Sequence, residues 1–238
     1  MRDERSRGTP VGRRVVLGML GLGAVGVVFG AKASDALARA LTPLTSGSSG
    51  GSGILPGAGG FRFYTVTGEE PRRDADDYRL TVRGLVRSPH TYTLDSLRTL
   101  PHVSFKRDFQ CVTGWRVPDV PWQGVRLAEI LRRAGVTSSA KAVTFTSFDG
   151  AYTESLTLDQ AMRPDVLIAT AMYGKPITTA HGGPVRLYAA PMYGYKSIKW
   201  LGGIEVRDRV VPGYWEDRGY DVDAWVGRSN GRSDKPTG

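Results

Sequence analysis

Cys111 is the only thiol among 238 residues. It cannot close a disulfide within the chain, which leaves a buried thiol, a reactive thiol or a metal ligand. It stands in Asp108-Phe109-Gln110-Cys111-Val112-Thr113-Gly114-Trp115, among an amide, a hydroxyl, an indole donor and a glycine. That mixture suits the edge of a site better than the middle of a core, because Gly114 leaves room for a bulky group to approach the backbone. A second concentration of chemistry runs from His181 to Trp200. It holds His181, Arg186, Lys196, Ser197, Lys199 and several glycine amides, which are donors suited to a phosphate and to the polar edges of a heterocycle.

Several familiar chemistries are excluded. The three histidines (His90, His102 and His181) lie too far apart for a zinc motif, and one cysteine cannot make a multi-thiolate cluster. There is neither a Gly-x-Gly-x-x-Gly turn nor a phosphate loop ending in Gly-Lys-Ser/Thr. A thiol hydrolase pairing Cys111 with His181 stays open at this level, since distance in sequence says nothing of distance in space. The formal net charge is +9, but the basic residues form no block in the body. Nucleic acid is therefore not expected as a partner, whereas a solvated basic surface or an anionic substrate or cofactor fits.

The elements that must position these residues read mainly as short strands. Phe61–Val66, Tyr78–Val82, Thr91–Leu94, Lys141–Thr146, Ala151–Leu156, Val166–Met172, Val185–Tyr188 and Ile204–Val206 carry strand patterns, with Val210-Val211 as further strand-like material. Val103–Phe109 leads into Cys111 as an extended segment, and Pro118 and Pro121 predict an irregular path after it. Asp95 is placed to cap a short helix, Leu158–Met162 reads as another, and Leu127, Ile130, Leu131 and Ala134 make one face of a third closed by Gly135. Asp149-Gly150 predicts a hairpin turn and Gly174-Lys175-Pro176 another turn.

Ahead of the body, residues 1–33 read as an export signal or membrane anchor. Arg13-Arg14 precedes seventeen uncharged residues, Val15–Ala31, and cleavage is expected after Ala33. The pair resembles a twin-arginine signal, with Gly12 and Val16 at positions where a hydroxyl and a Phe are usual. If the stretch is retained, residues 15–31 give membrane association. Residues 34–60 are a Gly/Ser-rich linker, and 61–238 are expected to form one domain.

The two dense stretches, with Trp122-Gln123-Gly124-Val125 and Ser147-Phe148-Asp149-Gly150-Ala151-Tyr152 between them, stand in the order and spacing of a known family. From about Tyr78 to Val206 the body resembles the molybdopterin-binding catalytic domain of the sulfite oxidase family, and more closely its exported bacterial branch, which includes the periplasmic methionine sulfoxide reductase catalytic subunit.

The resemblance implies an α+β fold with mixed sheets, mainly β with short covering helices. It implies Cys111 as a thiolate ligand of molybdenum beside the sulfurs of one molybdopterin, with His181, Arg186, Lys196, Ser197 and Lys199 holding the pterin and its phosphate. Arg107 and Asp108 are expected at the pocket rim, Asp149 and Gly150 in a turn lining the metal site, and Trp115 and Trp122 either in the pocket wall or in the packing behind it. The implied reaction is oxygen-atom transfer. Reduction of a small-molecule or methionine sulfoxide substrate is the expected direction, with sulfite oxidation or a non-catalytic pterin-binding module as alternatives. The chain has no Cys-x-x-Cys-His for haem, so a separate haem-containing electron-transfer partner is expected. The further C-terminal domain through which sulfite oxidases dimerise is not expected in the residues after Lys199.

Overall fold

Alternating apolar residues broken by closely spaced turn residues favour strands over helices throughout the body. The computed structural model describes residues 60–237, so the leader (1–33) and the linker before Gly60 lie outside the described residues. In chain order the elements are β1 (Arg79–Gly84), β2 (His90–Thr93), α1 (Leu94–Arg98), β3 (His102–Gln110), β4 (Arg116–Arg126), α2 (Leu127–Ala134), β5 (Ala142–Ser147) and β6 (Thr153–Thr157). They continue with α3 (Leu158–Ala161), β7 (Val166–Met172), β8 (Lys175–Pro176), β9 (Arg186–Ala189) and β10 (Leu201–Arg207), and 3-10 turns cover Gly194–Lys196 and Glu216–Arg218. This is the α+β, mainly β arrangement with short helices. Among the described residues no helix is long and apolar enough to cross a membrane.

One sheet has the order β2-β1-β10-β5-β6, with β1 and β10 parallel and the other neighbours antiparallel. The other runs β3-β4-β7-β8, with β9 also paired to β7, all antiparallel. At β7 and β9 the second sheet is buried on both faces. Val166, Ile168, Leu187 and Ala189 join the main core with α2 and the first sheet, whereas Leu167, Ala169 and Tyr188 face a smaller cluster around Phe109 and Trp122. Strand alternation therefore puts Arg186 on the same face as Tyr188, over the Phe109 and Trp122 rings. It also explains why all four residues of β9 are buried although their sequence alternates.

In α2 the residues Leu127, Ile130, Leu131 and Ala134 are buried, and Gly135 ends the helix in the left-handed conformation at φ 66°, as its sequence predicts. Four expectations are corrected. Phe61–Val66 is not a strand but an irregular strap with no ladder partner. Pro118 and Pro121 do not keep the chain irregular, since both lie inside the eleven-residue β4. The ladder shifts between Arg107 and Phe109, and Pro118 falls at that bulge, where a missing N–H breaks no pairing. The N-cap of α1 is Thr93, whose hydroxyl accepts from Ser96 N at 3.1 Å, rather than Asp95. Val210-Val211 belongs to no strand.

Candidate functional site

Cys111 opens the loop between β3 and β4. Its N–H donates to the Trp115 carbonyl at 2.9 Å, its carbonyl accepts from Gly114 N at 3.0 Å, and Gly114 takes φ +102°, which a side chain would resist. The thiol lies half-buried at the tip of this hairpin, with Sγ 3.2 Å from Thr113 Oγ1. Behind it, Arg116 donates to Gln110 Oε1 at 2.6 Å and to Asp108 Oδ2 at 3.2 Å, while the other oxygen of Asp108 accepts from Asp119 N at 3.0 Å. Asp108 thus fastens the bulge that sets the direction of the Cys111 loop.

The segment His181–Lys199 folds back on itself around β9. Arg186 donates to the carbonyls of His181 and Ser197, both at 2.7 Å, and so ties the two ends of the segment together. Gly182, at φ +95°, lies so close to Lys199 that an added Cβ would stand 2.6 Å from the Lys199 Cβ. Ser197 Oγ accepts from Ala189 N at 3.0 Å. These contacts bring Cys111, His181, Arg186, Ser197 and Lys199 to the wall of one cavity of about 430 Å³. Burial first, and then Arg186 and Lys199, lower the His181 pKa to about 4, so its ring is neutral at neutral pH. Burial and then Arg186 lower Lys199 to about 8, and burial lowers Arg186 to about 10.

Other expected site residues are not brought there. Arg107 is exposed on β3, its guanidinium bonded to the Lys106 carbonyl at 2.8 Å and lying over the Phe105 ring, because it falls on the outer side of the bulge. Asp149 and Gly150 occupy the exposed β5–β6 turn, where Asp149 accepts from Ser147 Oγ and from Ala151 N and so closes its own turn. Lys196 is buried away from the cavity wall, its ammonium given to Glu154, to Glu216 and to the Ser155 carbonyl. The two tryptophans divide. Trp115 lines the cavity, whereas Trp122 packs in the core with its ring 4.1 Å from Tyr188.

Two parts of the wall went unread in the sequence. The strap Phe61–Val66 lines the cavity, with Phe61 and Phe63 edge-on to His181 at 4.8 and 4.7 Å. Tyr152, Tyr195, Trp215 and Tyr220 form an aromatic wall. A pair of aromatics next to a linker was the available signal for the strap; Tyr152 and Tyr195 lie inside the two motif stretches without a role read for them, and nothing local marked Trp215 and Tyr220.

The cavity fits an anionic heterocyclic cofactor. Its volume lies in the range of small-molecule sites, about 300–1,000 Å³. Arg62, Arg186 and Lys199 line it, and no carboxylate does among the described residues. His181 Nδ1 and Trp115 Nε1 are buried without a partner, so the wall presents hydrogen-bonding atoms that the protein itself leaves unused. Cys111 adds one soft ligand.

The oxidoreductase molybdopterin binding domain matches residues 67–215. The chain belongs to that family. It is an oxidoreductase of the sulfite oxidase type. It is 38% identical over 162 residues to the oxidoreductase YuiH of Bacillus subtilis, a match covering 67% of this chain and 81% of that one. It is 35% identical over 157 residues to the protein-methionine-sulfoxide reductase catalytic subunit MsrP of Xanthomonas campestris, covering 59% of this chain and 48% of the relative. The chain thus spans about half the length of that reductase subunit. The sulfane dehydrogenase SoxCD of Paracoccus pantotrophus shares the fold, with TM-score 0.57 and 24% identity over 60% of this chain and 41% of the SoxCD chain.

Proposed function

We propose that this enzyme binds molybdopterin with molybdenum in the Cys111 cavity and reduces sulfoxides there, with methionine sulfoxide, free or in a protein, as the substrate class. The observation that carries the reading is the composition of the cavity wall: three cations and, among the described residues, no carboxylate, followed by the aromatic side chains of Tyr152, Tyr195, Trp215 and Tyr220. The cations suit an anionic cofactor. The aromatic wall suits a neutral substrate with methyl groups and sulfur, which packs favourably on ring edges, better than it suits a sulfite dianion. The names of the reductase relatives support the same substrate class.

When bound, the cofactor supplies the oxygen-atom transfer. The residues of the chain hold and orient it. Cys111 offers a thiolate to the metal, Arg186 and Lys199 offset the phosphate charge, and Ser197 and the neutral His181 supply hydrogen bonds. Phe61 and Phe63 pack edge-on against His181 and fix its ring on that side. Electrons come from a separate haem-containing partner, and the leader sequence supports a site outside the cytoplasm, reached through export or an anchor at residues 15–31.

The test is turnover by molybdenum-loaded protein. With a reduced viologen dye as donor, methionine sulfoxide is expected to drive dye oxidation. Sulfite-dependent reduction of an electron acceptor, with no sulfoxide turnover, would overturn the assignment. Changing both Arg13 and Arg14 to Lys is expected to leave the protein in the cytoplasmic fraction.

A further inference from the structure

Behind the aromatic wall lies a cluster whose charges do not balance. Lys196 Nζ donates to Glu154 Oε2 at 2.9 Å, to the Ser155 carbonyl at 3.0 Å and to Glu216 Oε1. The side chains of Lys196, Glu154 and Glu216 are 1%, 0% and 2% exposed. The other groups facing the carboxylates are neutral: the N–H groups of Ser155 and Gly213 and the Tyr152 hydroxyl. Two carboxylates against one ammonium leave an excess negative charge in a dry interior, and retaining a proton on the pair removes it.

The Tyr152 hydroxyl lies 2.8 Å from the Tyr195 carbonyl and 3.1 Å from Glu154 Oε1. A hydroxyl has one proton to give. If it goes to the Tyr195 carbonyl, which can only accept, the Glu154 contact is satisfied by a carboxylic acid donating to Tyr152. Tyr152 belongs both to this cluster and to the cavity wall.

We propose that Glu154 and Glu216 share a proton and act as the proton store of the cavity, with Tyr152 passing a proton to the oxygen leaving the substrate and recovering one from Glu154. The inference rests on the sulfoxide-reductase reading. In that reaction, R₂S=O + 2 H⁺ + 2 e⁻ → R₂S + H₂O, the S–O bond breaks and sulfur is reduced. A one-electron carrier supplies the electrons, and the oxygen leaves as water. The store provides one of the two protons and reloads from solvent, and solvent provides the other to the departing hydroxide. The cavity needs such a source because it has no carboxyl group of its own among the described residues, and His181 is neutral at neutral pH. Burial, opposed by Lys196 and reinforced by Glu216, pushes the Glu154 carboxyl up to about 8, so the store is loaded below that pH and empties above it.

The experiment uses molybdenum-loaded enzyme with reduced viologen and methionine sulfoxide. Wild-type kcat is expected to fall as pH rises through about 8. Glu154→Gln should lower kcat about a hundredfold at neutral pH with KM little changed, and should remove that limb. Lys199 also titrates near 8, so a limb that persists in Glu154→Gln belongs to Lys199 and overturns the proposal. A second measurement does not depend on turnover. Infrared difference spectra between neutral and alkaline pH should show a carboxylic-acid carbonyl band that Glu154→Gln loses and Tyr152→Phe keeps. Absence of that band from the wild type would also overturn the proposal. Should the wild type turn over no sulfoxide at all while the band is present, the substrate reading fails and the shared proton stands.

Discussion

Arg186 and Lys196 are buried cations ten residues apart in one segment, 3% and 1% exposed, and they are satisfied in opposite ways. Arg186 is held by the carbonyls of His181, Ser197 and Leu187 over the Phe109 and Trp122 rings, with no carboxylate partner among the described residues. Lys196 has two carboxylates to itself. Carbonyls orient a guanidinium without cancelling its charge, so Arg186 keeps a positive charge for an anionic ligand in the cavity. Lys196 has none to spare and instead anchors the 3-10 turn that carries Tyr195 into the wall. The difference teaches that charge balance in space, rather than a run of basic residues, marks the side of a segment that binds.

The comparison can be broken most severely at Arg186. Arg186→Met is expected to reduce the molybdopterin retained after purification at least about tenfold, because the counter-charge to the phosphate is gone. The apo protein should lose no more than about 1–3 kcal/mol in denaturant melts, because the His181 and Ser197 carbonyls lose their donor while a buried charge that no carboxylate offsets is removed. Full cofactor retention in this variant would mean that Arg186 is structural. Lys196→Met should do the reverse. It leaves the buried Glu154–Glu216 pair without its counter-charge and is expected to cost about 3–5 kcal/mol in urea unfolding, while cofactor content per folded molecule stays at the wild-type level.

A smaller effect sharpens the picture of a cationic cavity. His181 is held neutral in the folded state, with its pKa lowered from 6.5 to about 4, so between those values the unfolded chain binds a proton that the folded chain refuses. Apo stability should therefore fall as pH drops through that window and level off below it, and His181→Gln should flatten the dependence. The smallest effect is expected at Arg107, exposed on β3. Arg107→Ala should change stability by less than about 0.5 kcal/mol and leave kcat unchanged. A large loss of activity would show that Arg107 reaches the substrate.

Much of the scaffold was legible because it follows local rules. The apolar spacing and terminal glycine of α2, the Asp149-Gly150 hairpin turn and the run of β7 all appear in the folded chain. Cys111 was legible as the edge of a site because a lone thiol stood among polar neighbours and a glycine. Nonlocal pairing was not legible. Lys196 meets Glu154 and Glu216 across 42 and 20 residues, and no spacing rule announces such a triad. Proline rules misjudged β4 at Pro118 because β4 itself bulges there, with Pro118 and Asp119 opposite the single residue Asp108 of β3, which removes the need for the missing N–H. Asp149 and Lys196 lay in motifs shared with the family but serve the protein's own turns and ion pairs, so a motif told which segments form the site more reliably than which side chains face it.

The most direct measurement is the molybdenum and pterin content of wild-type protein and Cys111→Ser, both produced in a host that makes molybdopterin and both checked for folding by circular dichroism. The wild type should carry about one molybdenum per chain, and the serine variant should lose the metal and the activity while keeping the fold. A wild-type protein without molybdenum, or a serine variant that remains fully active, would contradict the assignment of Cys111 as the metal ligand.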